Sequence, residues 1–136
     1  MPCDYRIDRT RRVVLARGYG PVTETDLTGN RERLSADPDF DPALNLLYDL
    51  TEATGVGASP VFPQSFAARS IFADASKRAV VAGDDSVFGV ARAFLAWGAE
   101  SSANIRVFRN IDEARRWLAL DQADYFGAYP ERFPGG

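Results

Sequence analysis

Apolar positions along the chain come in short clusters of changing period, and polar or Pro/Gly-rich segments separate them. Tyr5-Arg6-Ile7-Asp8 alternates as a half-buried strand does. Arg9-Thr10-Arg11-Arg12 is a polar turn, and Val13 to Tyr19 is a second strand, apolar on both parities in its first half and so covered on both faces. The short link predicts an antiparallel hairpin. Gly20-Pro21 is expected to break the strand. A helix then starts at the N-cap Thr23, with Asp26 at its third position and Val22 packing on Leu27. It runs to about Ala36 on a thin stripe of Leu27 and Leu34. Phe40, in the turn-rich connector Asp37–Pro42, is a plug over the core edge.

Leu46 to Leu50 is apolar on both parities and reads as a central strand. Thr51 to Pro60 is read as a Gly-rich flexible loop, and a helix from about Pro63 to Ala75 follows, with Phe66, Ala67, Ile71 and Ala75 at helical spacing. Lys77–Ala82 is a strand ended by Gly83. Val87, Ala91, Phe94, Leu95 and Gly98 form one face of the clearest helix, capped by Asp84, Asp85 or Ser86, with Phe88 and Trp97 flanking that face. Ile105–Phe108 is the last strand. Asn110 caps a last helix, Glu113 stands at capping-box spacing, and Ile111, Ala114 and Leu118 form the core face beside Trp117. Tyr125, Phe126, Tyr129 and Phe133 lie in an aromatic tail over 121–136. Strands alternating with helices predict an α/β fold: a five-stranded, mainly parallel sheet with an antiparallel N-terminal edge strand and about four helices.

Two segments resemble the SpoIIAA-like group of STAS-type proteins: Leu46-Leu47-Tyr48-Asp49-Leu50-Thr51, and the run Ile105 to Leu118 with its strand ending in Val-Phe and its capped helix carrying Glu-Ala and Trp-Leu. Lys77–Ala82 fits the fourth strand of that group. The resemblance covers about residues 5–120. It implies a single SpoIIAA-like domain over 1–136, a βα superhelix without intrinsic enzymatic activity that acts by docking on a partner protein. Relatives are switched by phosphorylation of a serine in an Asp-Ser-Ser-Gly-Leu turn. That turn is absent here, where Thr51, Thr54 and Ser59 stand in the corresponding region.

The 136 residues fit one domain, and 46% apolar residues suffice for a core. A net charge of −3 and a pI near 4.9 argue against nucleic-acid binding, so the basic cluster Arg9, Arg11 and Arg12 reads as a solvated hairpin tip. There is no histidine, which excludes Ser-His-Asp and Cys-His catalysis. The single cysteine, Cys3, is expected at a free end and without catalytic function. No apolar run is long enough to span a membrane, the first residues do not form a signal peptide, and the expectation is a cytoplasmic protein without cofactor or metal.

Candidate chemistry concentrates after the central strand. Asp49 stands at the strand end as a phospho-acceptor would, but such sites need further acids and a lysine on a later strand. The last strand offers only Arg106, and anchoring the following segment explains Asp49 without them. Gly83-Asp84-Asp85 matches a late phosphatase motif, yet position 51 is Thr where a second Asp is needed, and helix capping accounts for both acids. Gly55-Val56-Gly57 is half of a dinucleotide fingerprint, interrupted by Pro60. The leading expectation is a non-enzymatic binding module whose contact surface is Asp49, Thr51, Glu52, Thr54, Gly55, Gly57, Ser59 and Asp84, facing an unidentified protein partner. The alternative is a small apolar-ligand or lipid-binding domain with Phe62, Phe66, Phe72 and Phe88 lining a cavity. An Asp-based phosphoryl-transfer enzyme ranks third. Phe88, Trp97 and the aromatic tail define a candidate homodimer patch.

Overall fold

The structure is a computed structural model describing residues 3–59, 61, 62, 65, 66, 70–97 and 104–120. Five strands form one sheet: β1 (Cys3–Asp8), β2 (Val13–Thr23), β3 (Asn45–Gly57), β4 (Arg78–Ala82) and β5 (Ile105–Phe108), in the order β1-β2-β3-β4-β5. The β1–β2 pair is antiparallel and the other pairs are parallel. Three helices complete the described residues: α1 (Glu24–Ser35), α2 (Asp85–Trp97) and α3 (Ile111–Trp117). The α/β class, the mixed sheet and the antiparallel edge strand are as the pattern predicts.

Strand parity divides the core. In-register partners share a face, so Val14, Ala16, Leu46, Tyr48, Arg78, Val80 and Ile105 stand on one side of the sheet. On that side α1 and α2 supply Leu27, Leu34 and Val87 to the packing. Val13, Leu15, Leu47, Ala79 and Val81 stand on the opposite side, where Ala114 and Leu118 of the last helical segment close over them. The start of β2 and the middle of β3 are therefore apolar on both parities because both faces are covered.

The capping expectations at α1 hold. Thr23 Oγ1 accepts from the Asp26 N–H at 3.1 Å and Asp26 Oδ2 accepts from the Thr23 N–H at 2.9 Å, which closes a capping box. Val22 and Leu27 meet in one cluster. Asn110 Oδ1 accepts from the N–H groups of Asp112 and Glu113 at the start of α3. Phe40 packs edge-on to Phe72, with centroids 5.4 Å apart, over the Val14–Leu34–Leu44 cluster.

Three expectations are corrected. Gly20-Pro21 does not end β2. Gly20 takes φ +65°, the register slips beside it, and the strand runs on to Thr23. The Gly-rich segment after Leu50 is not a loop: Glu52 to Gly57 pairs in parallel with Tyr19 to Thr23, which makes β3 13 residues long. The period of the side chains hid it, because the slip opposite Arg17–Tyr19 puts Leu50 and Ala53, three apart, in one cluster. The helix predicted to reach Ala75 does not do so. Phe62, Ser65 and Phe66 are helical, whereas none of 70–75 is, and Ala73 N–H donates to Pro42 O at 2.8 Å. Three helices rather than four are thus complete among the described residues. Gly98 and the aromatic tail 121–136 lie outside those residues.

Gly18 tests the tightness of the β2–β3 contact. A Cβ there would stand 2.6 Å from Leu50 Cδ2, so Gly18→Ala should cost about 1–3 kcal/mol through overpacking. Gly89 in α2 has open space around it, so Gly89→Ala should stabilise by roughly 0.5–1 kcal/mol through helix propensity. Urea denaturation of both variants checks the contrast, and two shifts of the same sign would contradict the packing described.

Candidate functional site

The predicted contact surface is spread along a paired strand. Asp49 Oδ1 accepts from the Thr51 N–H at 3.0 Å and from Thr51 Oγ1 at 2.6 Å, so the acid anchors the register slip beside it. Glu52 is ion-paired with Arg17 on β2. Thr54 and Gly57 are exposed and Gly55 is half-buried. Ser59 N–H donates to Glu24 Oε2 at 2.9 Å, tying the end of this segment to the first turn of α1. A backbone held by a parallel ladder and by these contacts is preorganised, and lacks the freedom expected of a loop.

Asp84 belongs to a different construction. Its Oδ1 accepts from Ser86 N–H at 2.8 Å, Ser86 Oγ at 2.5 Å and Val87 N–H at 3.2 Å, which caps α2. The Ser86 hydroxyl, and after it the N–H groups of Val87 and Ser86, hold its carboxyl below the usual aspartate range. Asp85 pairs with Arg109 at 2.8 Å, and Arg109 also lies 4.0 Å over the Phe88 ring. Phe88 is half-buried against the core cluster of Val22, Leu27 and Leu50. Among the described residues no hydrogen bond or ion pair joins Asp49 to Asp84, and their roles place them apart: Asp49 shares a sheet face with Val81, under α3, whereas Asp84 caps the helix packed on the opposite face. Arg106 sits 5.3 Å over the Trp117 ring. Among the described residues no group of three acidic, Cys or His side chains is placed to hold a metal.

The hairpin-tip arginines each face a carboxylate. Arg9 lies 3.6 Å from Asp39, Arg11 2.9 Å from Asp8, and Arg12 3.5 Å from Asp41. Cys3 is not at a free end. It is wholly buried in β1, and burial raises its thiol pKa. Burial likewise pushes the Tyr48 phenol well above its ordinary range. Its oxygen accepts from Asn30 Nδ2 at 3.1 Å, and Cys3 is its second polar neighbour.

The feature the surface reading missed is a cavity of about 130 Å³ between the sheet, α1, α2 and the residues Phe62, Phe66, Ser70, Ile71 and Phe72. Tyr48, Leu50 and Val80 form its floor, Leu27 and Leu34 one wall, and Val87 and Phe94 another. Phe62, Phe66 and Phe94 make a continuous aromatic roof, with successive centroids 4.9 and 5.7 Å apart, and Arg31 lies 3.3 Å over Phe66. Of the phenylalanines assigned to a cavity, Phe62, Phe66 and Phe72 line it and Phe88 does not. Arg78 also contributes to the wall. It is 5% exposed, and burial lowers its pKa, an effect the charge of Asp74 partly offsets. Strand parity was the available signal, since Arg78 alternates with Val80 and Ala82. Among the described residues no helix is long and apolar enough to cross a membrane.

No protein-family model, no curated protein and no solved structure matches the chain.

The capping role of Asp84 has a pH signature. A carboxyl whose folded pKa is lowered adds stability that is fully present above its unfolded value and is lost as pH falls through the folded one. Wild type should therefore melt higher than Asp84→Ala at neutral pH, and the gap should narrow once the pH drops below 3.8. A gap that stays constant from pH 7 to pH 3 would contradict the charged cap.

Proposed function

We propose that this chain is a non-enzymatic binding module and that its binding element is the partly open apolar cavity on the α1/α2 face of the sheet. The observation that carries the reading is the cavity itself. An apolar void of roughly 150 Å³ lined by Leu, Ile and Phe stays dry and takes up benzene, and 130 Å³ walled by Leu27, Leu50, Val80 and Phe94 is on that scale. Leaving such a volume unfilled costs up to about 3 kcal/mol, the figure for a sealed cavity at about 24 cal/mol per Å³. A well-packed core would not retain that cost, and a ligand would offset it. The SpoIIAA-like superhelix and a docking role for the Asp49–Ser59 segment belong to the same proposal. The strand order β1-β2-β3-β4-β5 with an antiparallel first strand supports the former. The pairing and end-tethering of Glu52–Ser59 move the preferred site from that surface to the cavity.

Methyl-selective NMR with benzene as the probe tests this. The methyl signals of Leu50, Ile71 and Val80 should shift on titration, while those of Val13, Leu15 and Leu47 on the opposite face should not. No shift at the first set, or equal shifts on both faces, would overturn the cavity as the binding element.

A further inference from the structure

The cavity is apolar except at a few positions, and those positions differ in what they still have to offer. The Asn30 side-chain amide is engaged: Nδ2 donates to Asp4 O at 3.4 Å and to Tyr48 at 3.1 Å, and Oδ1 accepts from Arg33 at 3.1 Å. Arg31 lies on the Phe66 ring. Arg78 is different. It is the first residue of β4, between Leu46 of β3 and Ile105 of β5, and parity turns it to the cavity side with Val80. Its Nε donates to Ser76 O at 3.1 Å, and its Nη1 reaches Ser70 Oγ at 3.4 Å, a long contact. Nη2 is buried and has no hydrogen-bond partner among the described residues. The acid acting on Arg78 is Asp74, which is exposed, and no ion pair joins the two among the described residues.

A buried guanidinium with its nearest acid exposed and not ion-paired to it, and with one donor left open, is costly. A buried donor left open in a native structure calls for an explanation, and beside an apolar cavity a ligand's acceptor supplies one. We infer that the cavity takes a small monocarboxylate, with its oxygens at Arg78 Nη2 and Ser70 Oγ and its compact apolar body against Val80, Ile71 and Phe94. A carboxylate fits better than a phosphate monoester. The latter carries about −1.5 to −2 charges on three acceptor oxygens, and a single guanidinium with one neighbouring hydroxyl does not match that demand. The volume limits the body to about a benzene ring or a short acyl chain. This inference rests on the cavity being the binding element and adds the class of its ligand.

Isothermal titration at pH 7 with hexanoate and with 1-hexanol, alike in tail and different in head, tests the two separately. A charge-assisted hydrogen bond predicts that wild type binds hexanoate about tenfold more tightly or better. In Arg78→Met, with its fold checked by circular dichroism, the preference should vanish while hexanol affinity stays unchanged. Arg78→Lys should retain part of it. If Arg78→Met does not fold, the wild-type comparison alone decides. Equal affinity of acid and alcohol in wild type, or a preference that survives in Arg78→Met, overturns the carboxylate assignment and leaves the cavity reading standing. Binding of neither ligand overturns both.

Discussion

Successive side chains of a strand leave on opposite faces, and in β3 and β4 that alternation governs nearly everything else in the molecule. Because Leu47 and Val81 go to one side, that side can close tightly with Ala114 and Leu118. Leu46, Tyr48, Val80 and Arg78 consequently share the other side. Two helices together with Phe62, Phe66, Ile71 and Phe72 line that side without filling it. The two faces thus diverge in character: one is a packed core, and the other is a core with space and a buried cation. Removing that constraint, by a one-residue slip of β4, would send Arg78 to the α3 side and Ala79 into the cavity.

The register slip on β3 is the second device that follows from this alternation. At Asp49–Thr51 the strand absorbs an extra residue, with Asp49 bonded to the Thr51 backbone and hydroxyl. Leu50 and Ala53 therefore reach the same cluster. The strand continues far enough for Val56 to lie beside Val22 and to line the cavity. Asp49 acts here through geometry, holding the bend that lets one long strand serve both the lower and upper parts of the covered face.

Much of the fold was legible in the chain because it was written in local terms. The hairpin, the capping box of Thr23 and Asp26, the cap at Asn110 and the Leu27/Leu34 face are consequences of residues within a few positions of each other. What was not legible depended on distant partners. Gly55 and Gly57 favour a loop locally, and only pairing with the end of β2 keeps them extended. Phe66, Ile71 and Ala75 repeat at helical spacing, yet Ala73 is claimed by a backbone bond to Pro42. For the site, the phenylalanines were read as cavity-lining candidates, whereas Asn30 and Arg78 were not singled out because they are polar. Both lie on buried parities, Asn30 between Leu27 and Leu34 and Arg78 before Val80 and Ala82, so periodicity marked them even though residue type did not.

The central claim is that the open side of the core holds an anion against Arg78, and it differs from simple apolar burial in the sign of one shift. Burial in an apolar pocket raises a carboxyl pKa, whereas a guanidinium at hydrogen-bonding distance lowers it. A pH titration of carboxyl-13C-labelled hexanoate bound to the protein reads that sign directly. The account predicts a bound carboxyl that titrates below the free acid; a bound carboxyl that titrates above it would contradict the pairing with Arg78.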